Sequence, residues 1–317
     1  MPASKPAGKQ KRIRETPAFR LPRPSNYKPL YETSYGYAVT ADSLVFMREL
    51  PDDCIDLVMT SPPFALKRKK EYGNVDAEAY VDWFIPFAYV AYRILKPTGS
   101  FVIDIGGTWN QGHPTRSVYQ YQLLIRLAGR FCFAQEFFWH NPAKLPSPAE
   151  WVTVRRMRVT DAVDTIWWLS KTEYPKADNR RVLRPYSESM KQLIQNGYRA
   201  KLRPSGWDIS TKFQKDLGGS IPHNLLQISN TQSNNLYLRL CKEHGIKPHP
   251  ARFPTALPEF FIKFLTEPGD IVLDCFAGSN ATGEAAEAQG RHWIAVELNE
   301  AYLSASRFRF SEQLPLL

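Results

Sequence analysis

The sequence predicts an α/β fold organised on a mostly parallel sheet, and two observations carry that prediction. Short apolar runs alternate with stretches of helical periodicity over most of the 317 residues. Two of those runs end in turn-forming loops more than two hundred residues apart, Thr60-Ser61-Pro62-Pro63-Phe64 and Asp274-Cys275-Phe276-Ala277-Gly278-Ser279-Asn280. Loops that follow buried strands open at the carboxyl edge of a parallel sheet, where open α/β folds bind their ligands.

The elements follow in order. Tyr35 to Thr40 alternates as a strand, Ser43 to Leu50 has helical spacing, and Ile55 to Thr60 is apolar enough for a strand buried on both faces. The Pro62-Pro63 step stops it, because proline fixes φ and removes a donor. A basic loop, Lys67 to Lys70, leads to a helix from about Asp76 to Leu95 that Pro86 is expected to kink and Lys96-Pro97-Thr98-Gly99 to end. Ser100 to Ile105 is the next strand, and a helix from about Arg116 to Arg130 follows. Strands through Phe131 to His140 and near Ala162 to Ser170 flank a Pro-rich loop through Pro148. From Tyr174 to Lys247 the pattern dissolves into polar, turn-rich sequence that reads as an irregular recognition insertion. Regularity returns with a helix over Leu257 to Thr266, strands Ile271 to Cys275 and His292 to Glu297, a helix from about Thr282 to Gln289 between them, and a last helix. The expected organisation is a basic tail over 1–30, an acceptor half over 31–173, a recognition region over 174–247 and a cofactor half over 248–317 that completes the same sheet.

A hydrophobic share of 43% and eight Trp argue against disorder. No apolar run reaches membrane-spanning length, and the first residues lack a secretory h-region, so a soluble cytoplasmic protein is expected. The net charge of +10 points to an anionic partner, but residues 1 to 28 alone hold eight basic side chains against Glu15, leaving the rest nearly balanced. Cys54, Cys132, Cys241 and Cys275 show no CxxC spacing, so neither a metal nor a disulfide framework is called for. None follows a proline as the thiolate of a ring-carbon methylating enzyme does, which leaves direct transfer to a heteroatom.

The second loop suits an adenosine-containing cofactor. Gly278 allows close backbone approach, and Glu297, nineteen residues on, sits at the tip of the next strand, where an acid can accept ribose hydroxyls. The absence of GxGxxG favours a single nucleoside over a dinucleotide, and Asp274 would suit a cationic methionine end such as that of S-adenosylmethionine. An ordinary strand-turn-helix connection explains the loop alone but not its partner. The first loop suits an exocyclic base amine, a poor nucleophile whose lone pair is delocalised into the ring. Carbonyls fixed by consecutive prolines and the Ser61 hydroxyl can accept its N–H groups and turn the lone pair outward. Phe64 offers an aromatic face to a base swung out of the stack. Asp104, a lone acid in Phe101-Val102-Ile103-Asp104-Ile105, needs a buried partner, for which Ser61 is a candidate, or caps the strand end before Gly106-Gly107.

These residues resemble the amino-methylating DNA methyltransferases of bacterial restriction-modification systems almost end to end. Ser61 to Phe64 matches the (Ser/Asn/Asp)-Pro-Pro-(Tyr/Phe/Trp) motif, and Asp274 to Gly283 matches the cofactor motif. Because the acceptor motif comes first, the order is similar to the circularly permuted beta class. The strings VMTSPPFALKRKKEYGN, KLPSPAEWV, GGSIPHNLLQISN, HPARFPTALPEFFI and FAGSNATG resemble the PvuII-type cytosine-N4 enzymes. The resemblance implies a Rossmann-like S-adenosylmethionine-dependent methyltransferase sheet, duplex DNA as partner, N4-methylation of cytosine by base flipping at CAGCTG, and a cognate endonuclease for the same site. A monomer or a homodimer is expected. By position it places Ser61, Pro62, Pro63, Phe64 and Asp104 at the acceptor site and Asp42, Phe253, Asp274, Phe276, Gly278, Ser279, Asn280, Thr282 and Glu297 at the cofactor, with His249, Pro250, Arg252 and Pro254 beside Phe253. Ala41 stands where the family commonly has Gly. Lys67 to Lys70 either contact phosphates or close over the flipped base, or form a solvated charge run, and Arg203, Trp207, Asp208, Lys212, Lys215, Asn224, Gln227, Asn230 and Gln232 are candidate DNA readers. Adenine-N6 methylation by the same machinery, for which Asp is the commoner first motif residue, stays open, as does a non-catalytic nucleic-acid-binding regulator; a nicotinamide dehydrogenase leaves Ser61 to Phe64 unexplained.

Overall fold

The computed structural model describes residues 20–65, 75–197, 215–231 and 235–310. Nine strands form one sheet: β1 (Tyr31–Glu32), β2 (Gly36–Thr40), β3 (Ile55–Thr60), β4 (Leu95–Ile105), β5 (Cys132–His140), β6 (Val163–Ser170), β7 (Leu225–Gln227), β8 (Ile271–Asp274) and β9 (His292–Glu297). Their spatial order is β1-β2-β9-β8-β3-β4-β6-β5-β7. The run β2-β9-β8-β3-β4 is parallel throughout, so five strands end at one edge. β6 is antiparallel to both β4 and β5, which brings the connection between β5 and β6 to that same edge.

Alternation along the strands splits the core into two layers. Ile55, Val58, Phe101, Ile103, Leu273 and Ile294 face α1 (Ser43–Arg48), α2 (Tyr80–Ile94) and α3 (Tyr119–Ala128). Leu57, Met59, Val102, Val272 and Ala295 face the helices that follow the recognition region, α6 (Ala256–Leu265), α7 (Ala281–Glu287) and α8 (Glu300–Ser306). Arg93 ties the first layer together by donating to the carbonyls of Met47 at 2.9 Å and Leu50 at 2.8 Å, at and just beyond the end of α1.

Two expectations need correction. The stretch 174–247 is not irregular throughout: its described residues form α4 (Glu188–Asn196), β7 and α5 (Leu236–Glu243). β7 joins the sheet as an edge strand parallel to β5. Residues 96 to 99 do not separate helix from strand, because β4 starts at Leu95 and absorbs them in a register shift between Ile55 and Leu57 of its neighbour, with Lys96 paired to buried Asp56 at 2.7 Å. α2 runs from Tyr80 to Ile94 with Pro86 inside it, at the position the sequence marks for a kink. The basic residues 67 to 70, together with Arg203, Trp207, Asp208, Lys212 and Gln232, lie outside the described residues. No helix of the described residues is long and apolar enough to cross a membrane.

Candidate active site

Ser61 to Phe64 emerges from β3 at the shared carboxyl edge, between the ends of β4 and β8. The Ser61 hydroxyl hydrogen-bonds to Asp104, the lone acid of β4. Asp104 is 2% exposed, and its Oδ1 has no partner among the described residues. Burial and the neighbouring Asp164 push its carboxyl well above the usual range, opposed by the Ser61 hydrogen bond and by Lys144. The Phe64 ring lies over Gly106, where an added Cβ would fall 2.5 Å from it. The same point is 3.0 Å from Oδ1 of Asp164, so Gly106 has no side chain because the ring and the acid occupy its place.

Tyr119, at the start of α3, holds this loop from behind. Its hydroxyl donates to the Gly106 carbonyl and accepts from the Ala65 amide, tying the end of the acceptor loop to the end of β4. Sequence reasoning missed Tyr119, Asp164 and Lys144. Asp164 carried the signal that exposed Asp104: it is a lone acid in an apolar strand, Val163–Ser170.

Asp274 joins the two halves. Its Oδ1 accepts from Thr60 of β3 at 2.7 Å and from the Phe276 amide at 3.1 Å, and its Oδ2 accepts from Thr282 at 2.6 Å. The group is buried, which raises its pKa to about 6 against those hydrogen bonds. Both oxygens thus face protein donors, and Asp274 and Thr282 act as a bolt beneath the cofactor loop. Gly278 adopts φ +50°, and an added Cβ there would lie 3.2 Å from the His249 ring, which packs edge-on against Tyr302 at 4.6 Å. Glu297 accepts from the Gly278 amide and from the Asn299 amide, both at 2.9 Å, so the acid at the tip of β9 shapes the loop and retains lone pairs for a ligand.

Ser279 and Asn280 turn inward. Arg309 donates to the Ser279 hydroxyl at 3.0 Å, while Asn280, at φ +52°, caps α7 through Gly283 and donates to the Tyr31 hydroxyl at 3.0 Å. Phe276 meets Trp83, Phe84 and Phe87 of α2 at centroid distances of 5.8, 6.5 and 5.1 Å, an aromatic wall the sequence reading did not assign. Asp42 caps α1 through the Val45 amide and is exposed at the end of β2 beside Glu297. Phe253 packs on the opposite core layer with α6. Arg252 donates to the His249 carbonyl, Pro254 is buried, and Pro250 lies exposed between His249 and the Ala251 carbonyl that contacts the His249 ring. Among the candidate readers, Asn224 donates to the Glu136 carbonyl at 2.9 Å and Asn230 to the Arg252 carbonyl at 2.8 Å, so both side chains serve the fold, whereas Lys215 and Gln227 are exposed.

The loop that carries Phe64 leaves β3 and Glu297 ends β9, two places apart on one sheet edge. Comparison with known proteins shows the family and the fold. The DNA methylase family profile matches residues 55–308. The Type II methyltransferase M.PvuII of Proteus hauseri is 57% identical over 288 residues, covering 89% of this chain and 86% of that protein. M.ScaI of Streptomyces caespitosus is 26% identical, covering 87% and 81%. The solved PvuII DNA methyltransferase, cytosine-N4-specific, superposes with a TM-score of 0.73 at 50% identity over 89% of each chain. A structure of a DNA modification methylase from Thermus thermophilus, 20% identical with a TM-score of 0.53 over 88% of this chain and 94% of that one, shares the fold. The chain accordingly belongs to the DNA methylase family and is a DNA methyltransferase of the amino-methylating branch that includes the PvuII enzyme.

Proposed function

We propose that this chain transfers a methyl group from S-adenosyl-L-methionine to N4 of cytosine in duplex DNA, at a defined site, after swinging the base out of the stack. The observation that carries the reading is the Ser61 hydroxyl held by Asp104 at the same sheet edge as the cofactor loop, with Thr60 and Asp274 joining the two. The identity to M.PvuII supports cytosine N4, CAGCTG as the site and a partner endonuclease in a restriction-modification system.

The residues present fit the cofactor. Thr40, in register with Glu297, has a buried hydroxyl with no partner among the described residues, and Asp42 is exposed beside it. Glu297, Asp42, the Phe276 ring and the backbone from Phe276 to Ser279 would hold it, with His249 backing the glycine turn and Phe253 packed on the core layer that contains Ala277 of the same loop. When bound, it supplies an electrophilic methyl carbon on a sulfonium. The chain contributes the rest. Carbonyls at Ser61 and Pro62 and the Ser61 oxygen accept the N4 hydrogens, which frees the lone pair to point at the methyl carbon. Pro62 and Pro63 present no competing amide donors, and Phe64 faces the extruded ring. As the new N–C bond forms, one N4 proton leaves through Ser61 toward Asp104.

Nucleoside mass spectrometry of unmethylated DNA after incubation with enzyme and cofactor tests this reading. 4-Methylcytosine is expected. 6-Methyladenine alone would transfer the reading to adenine N6, and no methylated base, with tight cofactor-independent DNA binding, would favour a regulator. Duplexes with and without CAGCTG decide the site.

A further inference from the structure

The acceptor site continues from buried Asp104 to a more exposed charged pair, Asp164 of β6 and Lys144, the first residue of the string KLPSPAEWV. Asp164 lies on β6, two residues from Ile166, which is paired with Asp104, and it reaches over Gly106 beside the Phe64 ring. Lys144, from the connection between β5 and β6, donates to both its oxygens, at 3.2 and 3.4 Å. The Asp164 side chain is 17% exposed and that of Lys144 32%, so neither charge is fully screened.

We propose that Lys144 and Asp164 are positioning residues that set the charge on Asp104, and through it the direction in which the Ser61 hydroxyl points. This rests on the acceptor role given to Ser61 above. When Asp104 is ionised, it accepts the Ser61 proton, and the serine lone pairs face outward to receive an amine N–H. When Asp104 is protonated, it can donate to Ser61 instead. The serine proton then turns outward and meets the amine donor to donor, the wrong polarity for orienting a lone pair. Asp104 has a spare oxygen, Oδ1, with no partner among the described residues, so local charge decides between these states.

The surrounding groups make Lys144 the cation that can tip the balance. Asp164 opposes ionisation of Asp104, while Ser61 and Lys144 favour it. From α3, the Tyr119 hydroxyl is engaged by Gly106 and Ala65. Arg116 packs on Gly107 and lies 4.0 Å from Asp161, which also faces Arg158 at 4.0 Å. A lysine that neutralises Asp164 therefore keeps a second anion from being imposed on Asp104.

The test is the pH profile of single-turnover methyl transfer to unmethylated bacterial-virus DNA, with full-length enzyme and saturating cofactor. Lys144→Met leaves Asp164 uncompensated and is expected to move the acid limb up by about one pH unit. Asp164→Asn removes the opposing anion and is expected to move it down. The double variant is expected near the parent, and Lys144→Arg close to it. A merely structural role would lower the rate at every pH and leave the limb in place. Unmoved limbs, shifts of the same sign, or a parent profile without an acid limb would overturn the proposal. If Lys144→Met does not fold, the direction for Asp164→Asn decides alone. Mass spectrometry of the product distinguishes this failure from a wrong base assignment, since the polarity argument holds for any base amine.

Discussion

Ser61 needs no charge of its own because Asp104, buried behind it, fixes its hydroxyl. Ser61→Ala removes that acceptor while leaving the cofactor cleft untouched. Single-turnover transfer is expected to fall about 10²-fold or more, with cofactor affinity by calorimetry largely unchanged. Asp274 shows how a buried acid can be structural in the same neighbourhood. Its pKa, raised to about 6 from 3.8, means that the folded protein holds this proton more tightly than the unfolded chain. The associated stability is fully present below about pH 4 and is lost as pH rises through about 6, on the order of 3 kcal/mol in all. Denaturant unfolding of the parent should therefore gain free energy between pH 7.5 and 5 relative to Asp274→Asn, which lacks the titration; equal pH slopes would mean that Asp274 ionises freely. Asp104 was legible in the sequence because a lone acid in an apolar strand demands a partner. The inward turn of Asn280 was not, because it follows from an αL backbone at the cap of α7 and from Tyr31, almost 250 residues away.

Elements buried along their whole length were legible and those with a single buried residue or a narrow buried stripe were not, for a physical reason. β3, β8 and β9 are apolar on both faces and read as strands without any partner. β7 is three residues with only Leu226 buried, and it is a strand because the edge of β5 offers it hydrogen bonds. α5 carries a narrow buried stripe, Tyr237, Leu240 and Cys241, whose spacing is helical but whose polar flanks obscured it. The anchor that α3 provides belongs to this scale too, since one phenol holds both the acceptor loop and the end of β4. Tyr119→Phe leaves the Ala65 amide and the Gly106 carbonyl without that partner, costing about 1–3 kcal/mol for each group left unpaired. A fall in kcat of about tenfold is expected, larger than any rise in KM for DNA, because a loosened loop misplaces Ser61 more than it weakens the DNA surface. Steady-state kinetics on the variant check this; an unchanged kcat would show that the loop is held elsewhere.

Across the whole molecule, the sheet lets two distant parts of the chain act as one site. That convergence was readable from strand-end logic alone, but the side chains that secure it were not, because a strand end shows which edge a loop leaves and not which residues meet there. The structure uses Asp274 for that connection: Thr60 reaches it from the acceptor half and Thr282 from the cofactor half. Thr60 is fully buried, so Thr60→Val keeps the shape and deletes one bond, and Thr282→Val does the same from the other side. Each should destabilise the fold by about 1–3 kcal/mol. Because both act on one carboxylate, their effects should not add, and a double-mutant cycle by denaturant unfolding is expected to return a coupling of about 0.5–3 kcal/mol. Thr60→Val should also weaken cofactor binding, although Thr60 belongs to the acceptor strand, since Oδ1 of Asp274 then holds the Phe276 amide alone. Strict additivity, with cofactor affinity untouched by the change at Thr60, would mean that the halves meet at the sheet edge without communicating through this acid.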